Sequence, residues 1–156
     1  EKGKTAPAIP KAVKSFLSDT SSFSPEWSGS ILRMLPESVR GAYPLLREHL
    51  RILSAGICIG EAKGKDFIPA EELALSTALR PDAFPVADLD WDDAIRYLKK
   101  EALLLPAGTE KGYVLVRHKK FPLGFAKHLG NRANNLYPQE WRIRTGYIPE
   151  QVKTFE

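Results

Sequence analysis

Residues 112–130, GYVLVRHKKFPLGFAKHLG, decide the architecture of this chain. GYVLVRH and FPLGFAKHLG are apolar runs rich in Val, Leu and Phe, the composition of strands. Between them His118-Lys119-Lys120 is short and polar, so the runs are expected to fold back as a hairpin. Just upstream, Asp90 stands before WDDAIRYLKKEAL with Asp93 three residues on, a helix start of the capping-box kind. Trp91, Ala94, Ile95, Leu98 and Ala102 share one face of that helix. Lys99 and Lys100 sit near its C-terminal end, where the helix dipole favours cations. Pro106-Ala107-Gly108 ends the element. Downstream, GNRANNLYPQEW (130–141) is polar and Asn-rich and reads as a loop or a single helical turn. WRIRTGYI (141–148) alternates apolar and basic residues and is expected to be a last strand. The second half is therefore a small α+β unit with a mostly antiparallel, twisted sheet.

The first half is more broken, with frequent Pro and Ser. Residues 1–9 read as a charged linker, and Pro10 opens a short helix, PKAVKSFLSD, with Val13, Phe16 and Leu17 on one face. Ser18 to Ser24 is a Ser-rich loop. GSILRMLP (29–36) has the pattern of a strand buried on both faces. Pro36 and Pro44 bracket an irregular stretch. LRILSAGICIG (50–60) is the strongest strand candidate of this half, and Gly56 inside it signals a bulge or a close backbone approach. AKGK (62–65) is a turn, with Asp66–Ile68 returning as a short strand. Pro69 then opens a helix, AEELALSTAL, with two acids in its first turn. Pro81 and Pro85 mark a boundary.

The chain has 156 residues, 43% hydrophobic and 27% charged, which excludes a disordered polymer and suffices for one modest core or two small units. No apolar run approaches the roughly 20 residues that span a bilayer, so no membrane association is expected. A single Cys excludes an internal disulfide framework and a Cys-rich zinc site. EKGKTAPAIPK is basic without an apolar run behind it, so it is not a signal peptide, and Glu1 in place of Met reads as the start of an excised piece. Together these favour a reducing, cytoplasmic setting.

The net charge of +4 is unevenly spread. Residues 81–110 carry 3 basic and 7 acidic groups, whereas residues 111–147 carry 8 basic groups against Glu140 alone. A block of net +7 can attract phosphates, or it can be a solvated strand edge protected by lysine. Within it, KKFPLGFAKHLGNRANNLYPQEWRIR (119–144) interleaves cations, amides and aromatics. Cations suit phosphates, Arg and Asn can read base edges, and exposed aromatics can stack on unpaired bases. Phe125 and Trp141 are better read as filling a small core.

Other chemistry is thin. The acids of DLDWDD (88–93) lack the spacing of a calcium loop and are explained by capping. GEAKGK (60–65) has three residues between its glycines instead of the four of a phosphate loop, and no Ser or Thr follows its lysine. His49, His118 and His128 show no metal spacing, so no metal site is expected. No nucleophile-elbow sequence is present. Cys58 lies in an apolar run, where an inert thiol is the expectation.

FPLGFAKHLGNRANNLYPQEWRIR (121–144) resembles the closing motif of the C-terminal RNA-binding region of bacterial Fmu/Sun-type rRNA 5-methylcytosine methyltransferases. SAGICIGEAKGKDFIPAEELALS and FPVADLDWDDAIRYLKKEALLLP are similar to other parts of that region, so the resemblance runs from about residue 10 to 144. It implies two modules: an intermediate C-terminal module at 1–84 and a PUA-like domain at 85–156, the latter a twisted sheet or partial barrel with a short helix. It implies an accessory role in positioning rRNA or the small ribosomal subunit, with no catalysis in this segment. Catalysis and S-adenosylmethionine would belong to an N-terminal catalytic domain, which would also be a docking partner. The RNA-contacting candidates are Lys119, Lys120, Lys127, His128, Asn131, Arg132, Asn134, Asn135, Arg142 and Arg144. The family often has a turn Gly where this chain has Lys120. Two other readings, ranked behind, are left open: a protein-interaction module that docks on a ribosomal protein or on the catalytic domain, and a free-standing enzyme, which a deep pocket with convergent titratable groups would favour.

Overall fold

The computed structural model describes residues 9–147. Linker residues 1–8 and the end of the expected last strand, Ile148, lie outside the described residues. The chain is α+β, with two four-stranded sheets. The first is an antiparallel meander of β1 (Phe23–Ser28), β2 (Ile31–Pro36), β3 (Ile57–Lys63) and β4 (Asp66–Pro69). The second, an open sheet, is built from β5 (Val86–Asp88), β6 (Gly112–His118), β7 (Phe121–His128) and β8 (Ala133–Asn135) in that order. Only the β5–β6 pair is parallel. Its crossover is α5 (Trp91–Leu98), whose first turn is capped by the Asp90 carboxylate accepting from the Asp93 N–H at 2.9 Å.

The remaining helices are short: α1 (Lys11–Lys14), α2 (Glu37–Arg40), α3 (Tyr43–His49) and α4 (Glu71–Ala74). Several expectations are corrected here. The helix expected over residues 10–19 stops at Lys14, because Leu17 bridges to Leu79 instead. The expected loop at 18–24 runs into β1, whose Ser and Pro residues are drawn into a sheet by pairing with β2 along its full length. The irregular stretch after Pro36 holds α2 and α3. The strand expected from residue 50 begins only at Ile57, and the helix after Pro69 is a single turn. Residues 141–147 are not a strand. A 3-10 turn at Gln139–Trp141 diverts the chain, and the Ile143 N–H donates to the Leu98 carbonyl at 2.9 Å instead of to a strand edge.

Alternation on β6 and β7 explains their apolar runs. Leu115 and Phe125, opposite one another in register, join Leu32, Met34, Ile59, Leu73 and Phe84 in a core between the two sheets. Val116 and Ala126 face the other way, into a second core with Leu89, Ala94, Tyr97 and Leu103. The second sheet is thus buried on both faces, which is why it reads as near-continuous hydrophobicity. Gly56 does mark a close approach. Its φ is +64°, and a Cβ there would lie 2.2 Å from the Met34 carbonyl oxygen.

The two cores meet at Gly124, beside a register shift in the β6–β7 pair. Its φ is +150°, and a Cβ there would lie 2.1 Å from both the Tyr97 hydroxyl and Glu71 Oε2. Through the space so left, Tyr97 on α5 donates to the Phe125 carbonyl at 3.0 Å and reaches Glu71 on α4 at 3.4 Å. Glu71 is 8% exposed, and its Oε1 has no partner among the described residues. Burial pushes its carboxyl up to about 8, against the pull of the Tyr97 hydrogen bond and of Lys100.

The folded chain therefore keeps a proton on Glu71 that the unfolded chain, at the ordinary value of 4.5, releases as pH rises. Stability contributed by this group is full below about pH 4.5 and is lost progressively towards pH 8. We expect the thermal midpoint to fall between pH 5 and pH 8, and the fall to flatten in Glu71→Gln, which keeps a neutral group in place. A midpoint that rises over that interval in the unaltered chain contradicts this.

Candidate nucleic-acid interface

The second sheet carries most of the candidate residues, at its two ends and along its outer strand, and Arg142 and Arg144 lie in the segment that follows it. Lys119 and Lys120 form the two-residue turn between His118 and Phe121. Their φ values are 46° and 71°, the pattern of a type I′ turn that Asn-Gly adopts most easily. A lysine in this left-handed region costs on the order of 1 kcal/mol. Both lysines are exposed, and the neighbouring Phe121 is 74% exposed. The stem below is held firmly. Arg117 grips Asp88 through two hydrogen bonds of 3.0 and 2.6 Å, and His118 Nδ1 lies 2.9 Å from the Leu89 carbonyl.

At the other end of the stem, Gly112 lies opposite His128. Six strand steps put roughly 20 Å between this end and the lysine turn. Here the turn 129–132 closes through the Leu129 N–H and the Arg132 carbonyl, leaving Asn131 and Arg132 exposed. The Lys111 side chain lies over Gly130. His128 Nδ1 lies 3.1 Å from the Glu110 carbonyl.

Lys127 differs from the other cations. Its ammonium donates to Asp66 Oδ2 at 2.6 Å and sits 4.9 Å from the centre of the Tyr113 ring. Asp66 belongs to β4, so this pair joins the two sheets. Its Lys127 bond, with one from Tyr113 at 2.8 Å, holds the Asp66 carboxyl below the usual carboxylate range and raises Lys127 in turn. Asn134 is exposed opposite Lys127 in register.

Asn135 works inside the fold. Its amide donates to the carbonyls of Tyr97 (2.8 Å) and Glu101 (3.1 Å), and its oxygen accepts from the Tyr137 N–H at 2.9 Å. Lys100, at φ 61° just past α5, is likewise internal, donating to the carbonyls of Asn135 and Tyr137. Arg142 and Arg144 line an open groove with Lys99, Glu101 and Thr145 at the end of α5. Lys99 is the addition here. Its proximity in sequence to the helix end suggested only a dipole partner, and nothing local signals that residues 142–146 return beside it. Trp141 is 48% exposed, edge-on to Tyr137, whereas Phe125 is fully buried.

Among the described residues no ion pair ties Lys119, Lys120, Arg132, Arg142 or Arg144, whereas Arg117 and Lys127 are paired. Cys58 is half-buried, and burial pushes its thiol up, which disfavours the thiolate. Among the described residues no three His, Cys, Asp or Glu side chains converge as a metal would require. The internal role of Asn135 has a measurable consequence. Asn135→Ala removes three hydrogen bonds and leaves the Glu101 carbonyl and the Tyr137 N–H short of a partner, while the Tyr97 carbonyl keeps the Lys100 N–H; it should cost about 1–3 kcal/mol in urea unfolding. A loss within a few tenths would show those bonds to be dispensable.

Residues 84–143 match a family model described as the methyltransferase RsmF PUA domain. The protein named ribosomal RNA small subunit methyltransferase F of Shewanella baltica (strain OS195) is 32% identical over 110 residues, covering 67% of this chain and 22% of that protein. Its namesake in Shewanella pealeana is 32% identical over 92 residues, covering 58% of this chain and 18% of that protein. The chain thus spans about a fifth of the length of the curated relatives it matches. The sheet of β5 to β8 with its crossover helix, at residues 84–143, belongs to the RsmF PUA domain family.

Proposed function

We propose that this chain is the RNA-binding accessory region of an S-adenosylmethionine-dependent rRNA 5-methylcytosine methyltransferase. It would hold rRNA or the small ribosomal subunit in the cytoplasm for a catalytic domain outside this chain. The observation that carries the reading is the PUA-family sheet together with the segment that follows it, which between them bear five exposed cations without an ion pair among the described residues: Lys119, Lys120, Arg132, Arg142 and Arg144. Phosphates supply most of the affinity in such contacts, so free cations count for more than those already neutralised. Lys99 joins them beside Arg142 and Arg144. Asn131 and Asn134 are placed for ribose or base edges, with His128 at the same end as Asn131. Lys127 contributes only by giving up Asp66. The unit of residues 85–156 would carry the RNA, with 1–84 as the intermediate module.

S-adenosylmethionine does not fit the described residues. The strand-to-helix joints, at residues 36–37, 70 and 89–90, contain no glycine turn to admit a cofactor. We assign it, and the methyl transfer, to the catalytic part of the parent protein.

One observation favours the docking reading as a second role. Val39, Leu45, Leu46, Leu50 and Leu53 are all exposed within one short stretch of the first half, Leu53 at 86%. Such a patch fits a protein surface, and the catalytic domain is the partner we assign to it. Leu50→Ser with Leu53→Ser should weaken association with that domain and leave RNA affinity unchanged. Undiminished association rejects the assignment.

For RNA itself, the logarithm of affinity should fall with the logarithm of salt by about 0.7 per phosphate neutralised on a single strand. Replacing Arg132, Arg142 and Arg144 together by Ala should reduce that slope by about 2 and weaken binding at least tenfold at low salt. Salt-independent binding, or an unchanged slope in the triple variant, rejects the reading.

A further inference from the structure

The lysine turn is the one place in the second sheet where the backbone is held in an unfavourable region by residues that gain nothing within the fold. Both Lys119 and Lys120 have positive φ, and neither side chain has a partner among the described residues. Asn-Gly would close the same hairpin without strain. Strain that persists in a tight turn points to a use for the side chains it carries.

The surroundings are those of an exposed, stiff tip. β8 pairs only with Ala126 to His128, so no strand covers the outer edge of β7 near Phe121 among the described residues. Pro122 fits there because it has no N–H to offer. Phe121, next in the chain to the two exposed lysines, is 74% exposed. The carboxylates at this end are mostly engaged. Asp88 is held by Arg117, Asp90 caps α5, and Asp93 faces Arg96 at 3.7 Å. Asp92 is exposed and leaves the end less basic than a duplex-binding surface needs. Two exposed lysines followed directly by an exposed aromatic residue are the elements of a stacking contact with unpaired nucleotides, in which the ring takes a base and the cations its phosphates.

We propose that the β6–β7 tip binds single-stranded RNA, with Phe121 stacked on an unpaired base and Lys119 and Lys120 on the flanking phosphates. This rests on the RNA-binding reading above and adds the strandedness of its target.

The test compares a fluorescein-labelled single-stranded 12-mer with its duplex by anisotropy at several salt concentrations, using the 156-residue chain. Lys119→Asn with Lys120→Gly should raise Tm by a few degrees, because turn strain is relieved. The same variant should bind the single strand about tenfold more weakly, with a salt slope smaller by about 1.4. Phe121→Ser, at an exposed site, should lose about tenfold on the single strand and nothing on the duplex. A double variant that is more stable yet binds with unchanged affinity and slope overturns the proposal, while losses in the Arg132, Arg142 and Arg144 variant would leave the RNA-binding reading standing. Equal losses on single strand and duplex also overturn it. If the unaltered chain binds neither RNA, both readings fall, and tight binding of polyglutamate instead assigns the tip to an acidic protein.

Discussion

The missing side chain at Gly124 is the constraint on which the rest of the molecule depends. Because nothing projects there, a tyrosine from the crossover helix and a glutamic acid from the first sheet's last helix meet through the second sheet. That contact sets how α4, β7 and α5 lie against one another. It also explains why a carboxyl group is tolerated in a nearly dry place. Burial holds it neutral, and a neutral acid beside a phenol costs far less than a charge. The apolar residues around it, Phe84 against Phe125 at 4.8 Å above all, close the same seam from the other side.

Elements whose chemistry is local were legible in the sequence. Asp90 caps its helix because a carboxylate two or three residues before a free N–H needs no tertiary help. The hairpin followed from two apolar runs with a short polar joint, and Gly56 from the rarity of glycine in a strand. Elements that depend on a partner were not legible. FSPEWS becomes β1 only because β2 offers it an edge. WRIRTGYI has a strand's alternation, but the sheet edge beside it is taken by the three residues of β8 and the chain turns to the end of α5. α2 and α3 hide behind Pro36 and Pro44, which look like breaks but open the two short helices, Pro36 at the N-cap of α2 and Pro44 in the first turn of α3.

The candidate interface was half legible for a related reason. A run of charge is a sum along the chain, whereas the cations left for a ligand are those without a tertiary partner. Lys127 is neutralised by Asp66, 61 residues away, and Arg117 by Asp88, 29 residues away. Asn135 looks like its neighbour Asn134, yet it is occupied by three backbone groups brought from α5 and the turn after β8. Conversely, Lys99 joins Arg142 and Arg144 only because the last described segment folds back. In the sequence only Lys120 stood out, at a place where the resembled family often has a turn Gly; the left-handed backbone at both Lys119 and Lys120 is set by how the two strands close.

The seam between the sheets bears on how this chain can be cut. The stretch that matches the PUA family begins at residue 84, but the face that Leu115 and Phe125 present to the first sheet is covered by Leu32, Met34, Ile59 and Leu73, all on the other side of that point. A fragment trimmed to the matched residues would carry one dry face uncovered, and Tyr97 would lose the acid it meets. The stretch that the family model matches is therefore shorter than the length that coheres. Dissection of this chain has to follow cohesion.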